Sequence, residues 1–328
     1  MNRISRAIKV LNRKSAPAPA MADKSPQATE TASHQREDSE SMANIWENLV
    51  TLNSDVEPNF ELLSRAGEYL ATDSRAADWG DLNYHAALER DHYPIPETAD
   101  REGYYGTDHF SYWASGLKDA RLLDDVVRQH GTGELKACLD LGCASGRVLR
   151  HLALENPNCR AIGCDINRLH VEWCNAHLPP NCSVFQNHSI PSLPIEDNSL
   201  DAVTAYSVFT HIEALETGWL AEIRRVLKPG GIAWLTVHTE HTLADMNEGW
   251  PLWKPTMDHP DSPSLLDENR NFKGDRMVLR WLAERSYSSN VFYKSDYLTS
   301  HWTRQLELLE LRRRHPSFQD VMLMRKPL

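Results

Sequence analysis

Between residues 134 and 240 the chain alternates short apolar runs with stretches of helical period, the pattern of a parallel α/β sheet. Five runs predict strands, at 135–141, 160–165, 182–186, 200–206 and 232–238. Helical stretches at 147–155, 169–177 and 214–227 separate them. The last of these runs into Lys228-Pro229-Gly230-Gly231, where proline cannot continue a helix and the glycines supply an open turn.

Residues 43–130 predict a helical cap, with apolar positions at Ile45, Leu49 and Leu52, at Phe60, Leu63 and Tyr69, and at Leu117, Ala120, Leu123 and Val127. Inside it, 84–113 carries Tyr93, Tyr104, Tyr105, Phe110, Tyr112 and Trp113 beside Pro94, Pro96, Gly103 and Gly106, too irregular for an ordinary helix. This aromatic loop is either packing or a lid over a pocket. Beyond Glu240 the chain is rich in Trp and Pro through Pro263, then predicts a helix over 275–286 and two strands, 306–311 and 318–324, paired as a hairpin at the sheet edge. Residues 1–42 read as a tail: Arg3, Arg6, Lys9, Arg13 and Lys14 precede the first acid, Asp23, and Ile4, Ile8 and Leu11 share a helical face. That face suits a membrane-surface helix or a transit peptide, and the composition equally suits a solvated, disordered extension. The expected division is a tail over 1–42, a cap over 43–130 and an α/β domain over 131–328 with an insertion at 241–295.

With 41% hydrophobic residues in 328, the chain can bury a sizeable core, and no window approaches the ~18 apolar residues of a membrane span. The 35 Lys+Arg against 46 Asp+Glu give a net charge of −11, which leaves no broad field for a phosphate backbone. Nucleic acid is therefore not expected as the main partner, and small or neutral substrates are. The six cysteines (Cys138, Cys143, Cys159, Cys164, Cys174, Cys182) form no C-x-x-C pair and no zinc-type spacing with histidine. They read as small core residues of a reducing compartment, no metal is expected, and the absence of a continuous apolar core in 1–20 points to a cytoplasmic protein.

The chemistry concentrates in Leu139-Asp140-Leu141-Gly142-Cys143-Ala144-Ser145-Gly146, a strand entering a tight turn of small residues. Glycine at 142 and 146 and alanine at 144 let backbone approach a ligand closely. Asp140 can accept a hydrogen bond from a cationic group, and Asp165, at the end of the next strand, can take both hydroxyls of a ribose. The dinucleotide pattern G-x-G-x-x-G is absent, so a phosphate-free adenosine ligand fits better than NAD.

These residues resemble the class I S-adenosylmethionine (SAM)-dependent methyltransferases over roughly 134–238. The family's acid-x-Gly-x-Gly-x-Gly turn is matched by Asp140, Gly142, Ala144 and Gly146, with alanine for the middle glycine; its second-strand acid by Asp165; its Leu-Pro segment by Leu193-Pro194-Ile195 followed by Leu200-Asp201. Its Arg-Val-Leu-Lys-Pro-Gly-Gly signature stands unaltered at 225–231. The resemblance implies a Rossmann-like, doubly wound, seven-stranded and mostly parallel sheet with an antiparallel C-terminal hairpin, and SAM as cofactor. The cofactor contacts it implies are Asp140, Gly142, Cys143, Ala144, Gly146, Asp165 and Ile166, with Asn187, His188 and Ser189 beside the adenine and Tyr206 and Ser207 beside the methionine part. His211 and His238, at or after the ends of the fourth and fifth strands, are either general bases or structural histidines. Arg147 either neutralises an acid near the cofactor or begins its helix, and Trp250, Trp253 and Trp281 either stack on a sugar or aromatic substrate or pack.

The expected reaction moves a methyl group to an oxygen or nitrogen of a small molecule or saccharide. The segment 207–211 together with Trp219-Leu220-Ala221-Glu222 resembles methyltransferases found alongside glycan-modifying enzymes, which favours the saccharide. Action on protein or RNA, and a non-catalytic SAM-fold binding protein, are the other readings.

Overall fold

The computed structural model describes residues 57–60, 62–281, 289–315 and 318–328. The expected tail and the helical stretch around Ile45, Leu49 and Leu52 lie outside the described residues.

The chain begins with a two-stranded sheet, β1 (Leu62–Arg65) and β2 (Pro94–Pro96), and the helices α1 (Ala66–Leu70) and α2 (His85–Arg90). A long helix, α3 (His109–His130), follows, and then β3 (Ala137–Leu141), α4 (Leu149–Glu155), β4 (Arg160–Asp165), α5 (Arg168–His177), β5 (Cys182–Gln186), β6 (Leu200–Ala205), α6 (Glu216–Val226) and β7 (Leu227–Thr239). The insertion holds α7 (Glu240–Asp245), α8 (Trp253–Met257), α9 (Ser262–Leu265), β8 (Arg276–Arg280) and β9 (Ser289–Tyr293). After α10 (Ser295–His301), β10 (Glu307–Arg312) and β11 (Asp320–Arg325) close the chain. No helix among the described residues is long and apolar enough to cross a membrane.

The main sheet has the order β5-β4-β3-β6-β7-β11-β10, parallel from β5 to β7 and antiparallel at β11. This is the doubly wound, seven-strand path that the sequence predicts. Successive residues of each strand face opposite cores: Ile232 and Trp234 join Ala120, Leu149 and Trp173 on one face, while Ala233, Leu235 and Val237 join Trp219, Ile223 and Trp302 on the other. The insertion adds two strands, because β9 continues parallel to the end of β7 through His238↔Phe292 and Thr239↔Tyr293.

Three expectations change. Of the helix expected over 275–286, the first part is a strand at Arg276–Arg280, antiparallel to β9, with Met277 and Leu279 alternating into a small core with Phe272 and Phe292, and 282–286 lie outside the described residues. The aromatic segment is less irregular than expected, since Phe110, Tyr112 and Trp113 are buried on α3, whose N-cap Asp108 accepts from Ser111 N. The helical reading of 60–69 gives way at its start to β1, held by β2. The cap packs around Leu70, Ile95, Phe110 and Trp113, yet the second half of α3 packs against the sheet, so one helix serves both cores.

Candidate functional site

The carboxyl ends of β3, β4, β5 and β6 bring most of the expected cofactor residues to one edge of the sheet. Gly142 and Cys143 donate their backbone N–H groups to the Cys164 carbonyl (2.8 and 3.0 Å), which folds the turn back onto β4. Gly142, Ala144 and Gly146 all adopt left-handed backbone, φ +70°, +47° and +77°. A Cβ at Gly142 would meet Val208 Cγ2 at 2.4 Å, and one at Gly146 would meet Leu178 Cδ1 at 2.6 Å. Both glycines are therefore required by packing as well as by the turn. The Cys143 side chain is buried in the sheet core, so only its backbone faces the edge. The six cysteines are free thiols, all buried except the half-buried Cys182.

Asp165 closes the turn. Its Oδ2 accepts from Ala144 N (2.9 Å) and its Oδ1 from Asn167 N (2.8 Å), leaving the outer lone pairs of a largely buried carboxylate. Asp140 lies behind the turn, 3% exposed, and accepts from Thr204 Oγ1 (2.7 Å). Burial raises its pKa to about 6, against the Thr204 hydrogen bond and Arg147, which lower it.

Asn187 Oδ1 at the end of β5 and the Tyr206 hydroxyl after β6 are buried and have no hydrogen-bond partner among the described residues. An unpaired buried acceptor costs about 1–3 kcal/mol, so both mark places where a ligand would complete the hydrogen bonding. Beside them His188 is exposed, and Ser189 and Ile166 are half-buried. The donor set, two carboxylates, an amide oxygen and a phenol, suits a ligand with hydroxyls, an amino group and a cationic end. It suits no pyrophosphate.

The loop after β6 is held by β7, by the β10–β11 connection and by the insertion. Ser207, in left-handed backbone at φ +59°, donates its N–H to Thr236 Oγ1 (2.6 Å), and its hydroxyl accepts from Gln319 Nε2 (2.8 Å). Val291 N donates to Thr210 O (2.8 Å), and the Tyr293 hydroxyl donates to Phe209 O (3.0 Å) and Ile212 O (3.2 Å). His211 Nδ1 donates to the Ser289 carbonyl (2.6 Å), which fixes the tautomer and makes Nε2 the basic nitrogen. Burial lowers the pKa of His211. His238 is near enough to His211 to feel its charge, and burial together with that charge lowers its pKa to about 3. Its Nε2 lies 3.4 Å from the Gln319 amide nitrogen, an acceptor's position, and its Nδ1 is buried without a partner among the described residues.

Arg147, left open between neutralising an acid and beginning its helix, lies ahead of α4 rather than on it; it donates to Asp119 Oδ2 (2.7 Å) and covers the Tyr206 ring at 5.3 Å. Sequence reasoning missed other residues of this edge. Glu102, from the aromatic loop, accepts from Asn167 Nδ2 (3.1 Å) and approaches His170 Nε2 (3.9 Å). Burial opposes protonation of His170, yet Asp165 and Glu102 hold its pKa above the ordinary value. The Tyr112 hydroxyl meets Ser145 Oγ (3.2 Å), and Tyr104 and Tyr105 remain 58% and 42% exposed. The aromatic segment thus packs through Phe110, Tyr112 and Trp113, while Tyr104 and Tyr105 stand exposed beside the turn's neighbour Glu102. The only sequence signal for Glu102 was the glycine-tyrosine tract that follows it.

The other two family motifs clasp each other at the opposite end of the sheet. Arg225 donates to the carbonyls of Leu193 (3.0 Å) and Ile195 (2.7 Å), and Lys228 pairs with Asp201 (2.7 Å), whose other oxygen accepts from Lys136 N and Ala137 N. These residues are structural.

Residues 139–235 match a family model described as "Methyltransferase domain". The sterol 24-C-methyltransferase erg6 of Schizosaccharomyces pombe is 26% identical over 181 residues, 53% of this chain and 47% of that protein. An uncharacterized 37.1 kDa protein in transposon TN4556 of Streptomyces fradiae is 38% identical over 98 residues, 29% of this chain and 28% of that one. DesVI of Streptomyces venezuelae superposes with a TM-score of 0.47 at 15% identity, covering 70% of this chain and 98% of that structure. The chain spans about half or less of the length of these curated relatives.

Proposed function

We propose that this chain, whose residues 139–235 match a family model described as "Methyltransferase domain", is a class I SAM-dependent methyltransferase that transfers a methyl group to an oxygen or nitrogen of a small molecule or saccharide. The observation that carries the reading is the set of unmet acceptors and carboxylates around the 142–146 turn: Asp140, Asp165, Asn187 Oδ1 and the Tyr206 hydroxyl, on four successive loops of one sheet edge. When bound, the sulfonium supplies an activated methyl whose transfer returns the carbon–sulfur electron pair to sulfur.

The chain's own residues then bind, orient and move one proton. Asp165 takes the ribose hydroxyls, Asn187 Oδ1 accepts from the adenine amino group, and Asp140 faces the cationic end. His188 and Ser189 flank the adenine, and Tyr206 and Ser207 flank the methionine part. His211, fixed by its Nδ1–H on the Ser289 carbonyl, accepts the proton of a hydroxyl acceptor at Nε2. The Nε2 of His238 faces the Gln319 amide, so His238 suits a positioning role better than a basic one. The sterol 24-C-methyltransferases among the relatives raise a carbon acceptor, which the charged side chains bordering the His238 side of this edge, Asp245 and Arg314, do not favour. The buried free thiols support a reducing compartment and so a cytoplasmic enzyme.

Calorimetric titration with SAM, S-adenosylhomocysteine and NADH tests the reading. Binding of both sulfur ligands but not NADH, weakened at least tenfold, about 1.4 kcal/mol, by Asp165→Ala, is expected. A folded sample that binds neither sulfur ligand overturns it.

A further inference from the structure

We propose that the cavity between α7 and the β10–β11 turn is the acceptor subsite and that it takes a saccharide ring; this rests on the methyltransferase reading above. The cavity measures about 330 Å3, at the small end of the ~300–1,000 Å3 range of ligand pockets and sized for one ring rather than a long chain. Its lining combines an aromatic wall with charged and amide groups.

The aromatic wall is Trp250 stacked on Phe318, centroids 5.2 Å apart and planes 13° from parallel. Phe318 is 52% exposed, an apolar ring left in water at the mouth of a cavity. The other two tryptophans singled out in the sequence do not share this role: Trp253 lies under the Arg270 guanidinium and Trp281 against His259, both within the insertion core.

Facing the aromatics are Asp245, Arg314 and Asn247. Arg314 Nε (2.8 Å) and Arg313 (3.4 Å) both approach Oδ2 of Asp245, so Oδ1 is the oxygen presented to a ligand hydroxyl. A pyranose matches this arrangement, since its C–H face stacks on an aromatic ring while its hydroxyls donate to a carboxylate and accept from a guanidinium. A sterol would leave those polar groups facing hydrocarbon.

The cavity adjoins the transfer end of the cofactor edge. Trp250 backs edge-on against His238, centroids 5.8 Å apart. Gln319, next in sequence to Phe318, donates to the Ser207 hydroxyl, so the cavity wall and the loop after β6 move as one piece.

Saturation-transfer NMR with methyl glucoside, galactoside, mannoside and rhamnoside, run with and without S-adenosylhomocysteine, tests the subsite, with p-nitrophenol and a detergent-solubilised sterol as contrasting probes. At least one methyl glycoside is expected to give a signal that Phe318→Ala and Trp250→Ala each reduce at least fivefold and Asp245→Asn reduces measurably, while calorimetric affinity for S-adenosylhomocysteine is unchanged. Phe318 is exposed and Asp245 pairs only at the surface, so those variants fold even if Trp250→Ala does not. Binding of p-nitrophenol or the sterol without any glycoside overturns the saccharide class, and glycoside signals indifferent to all three substitutions overturn the location. Glycoside binding that persists where S-adenosylhomocysteine does not bind keeps the subsite and overturns the methyltransferase reading instead.

Discussion

Asp91 and Arg150 form a fully buried, bidentate ion pair that fastens the cap to the helix behind the glycine turn: Arg150 Nε and Nη2 donate to Asp91 Oδ2 (2.9 Å) and Oδ1 (2.7 Å), with both side chains at 0% exposure. Trp113 Nε1 donates to the same carboxylate (2.7 Å), and the guanidinium also reaches the carbonyls of Tyr93 and Pro94. Burial opposes ionisation of Asp91, but Arg150 outweighs it and holds the carboxyl below its ordinary pKa.

Removing one partner leaves the other charged in a dry site, so Asp91→Asn or Arg150→Met should cost about 3–5 kcal/mol. Urea unfolding followed by tryptophan fluorescence measures it. Because the pKa is depressed, this stabilisation is present above the unfolded carboxyl range and is lost as pH falls through the folded value. The mutants should therefore lose the acid limb of the wild-type stability profile below about pH 4.

Asp140 predicts a pH dependence of opposite origin. Its carboxyl, raised to about 6 by burial, is largely protonated at pH 5 and ionised at pH 7, and only the ionised form attracts a cation. Affinity for SAM should tighten as pH rises through 6 and level off above about 7, up to tenfold per unit below the midpoint. Titrations between pH 5 and 8 should give a flat profile for Asp140→Asn; an unchanged slope there would assign the effect to another group.

The glycine turn separates two substitutions that look alike on paper. Ala144 holds φ +47°, where an L residue is strained by roughly 1–2 kcal/mol and glycine is not. Ala144→Gly should stabilise the protein by about 0.5–1 kcal/mol after the added chain entropy of glycine, with ligand affinity retained. Gly142→Ala places a Cβ 2.4 Å from Val208 Cγ2 in addition to the strain, and should both destabilise by more than about 2 kcal/mol and weaken ligand binding. Thermal unfolding and calorimetry together distinguish the pair.

Arg225→Ala tests whether a signature motif is chemistry or scaffold. Its guanidinium, held by Glu222 of its own helix, joins α6 to the 193–197 segment through the carbonyls of Leu193 and Ile195 and the Asp197 carboxylate, at the end of the sheet away from the turn. The substitution should lower the free energy of unfolding by about 1–3 kcal/mol and leave the affinity for S-adenosylhomocysteine within twofold.

The strands β3, β4, β6 and β7 were legible because they are buried on both faces over nearly their whole length and so read as largely apolar runs bounded by turn residues. The turn from Asp140 to Gly146 was legible because its backbone needs small residues in register. The strand at 276–280 was not, since Met277, Val278 and Leu279 fit either period and only pairing with β9 decides between them. Glu102 and Gln319 were hidden for another reason, and so was the partner that decides between the two readings of Arg147. Each of these hydrogen bonds joins residues 28 to 112 positions apart, and no local pattern encodes such a meeting.

The clamp on the loop after β6 gives the chain an order of assembly. The glycine turn and the backbone partners of its closing carboxylate are all synthesised by residue 167, but His211 and Phe209 acquire their partners only with Ser289 and Tyr293, 78 and 84 residues later. At synthesis rates of about 5–20 residues per second, roughly 4–17 s separate the birth of that loop from the arrival of its clamp. On the ribosome the glycine turn is therefore synthesised well before the clamp on the loop after β6, and a nascent chain arrested before residue 289 would hold the first without the second.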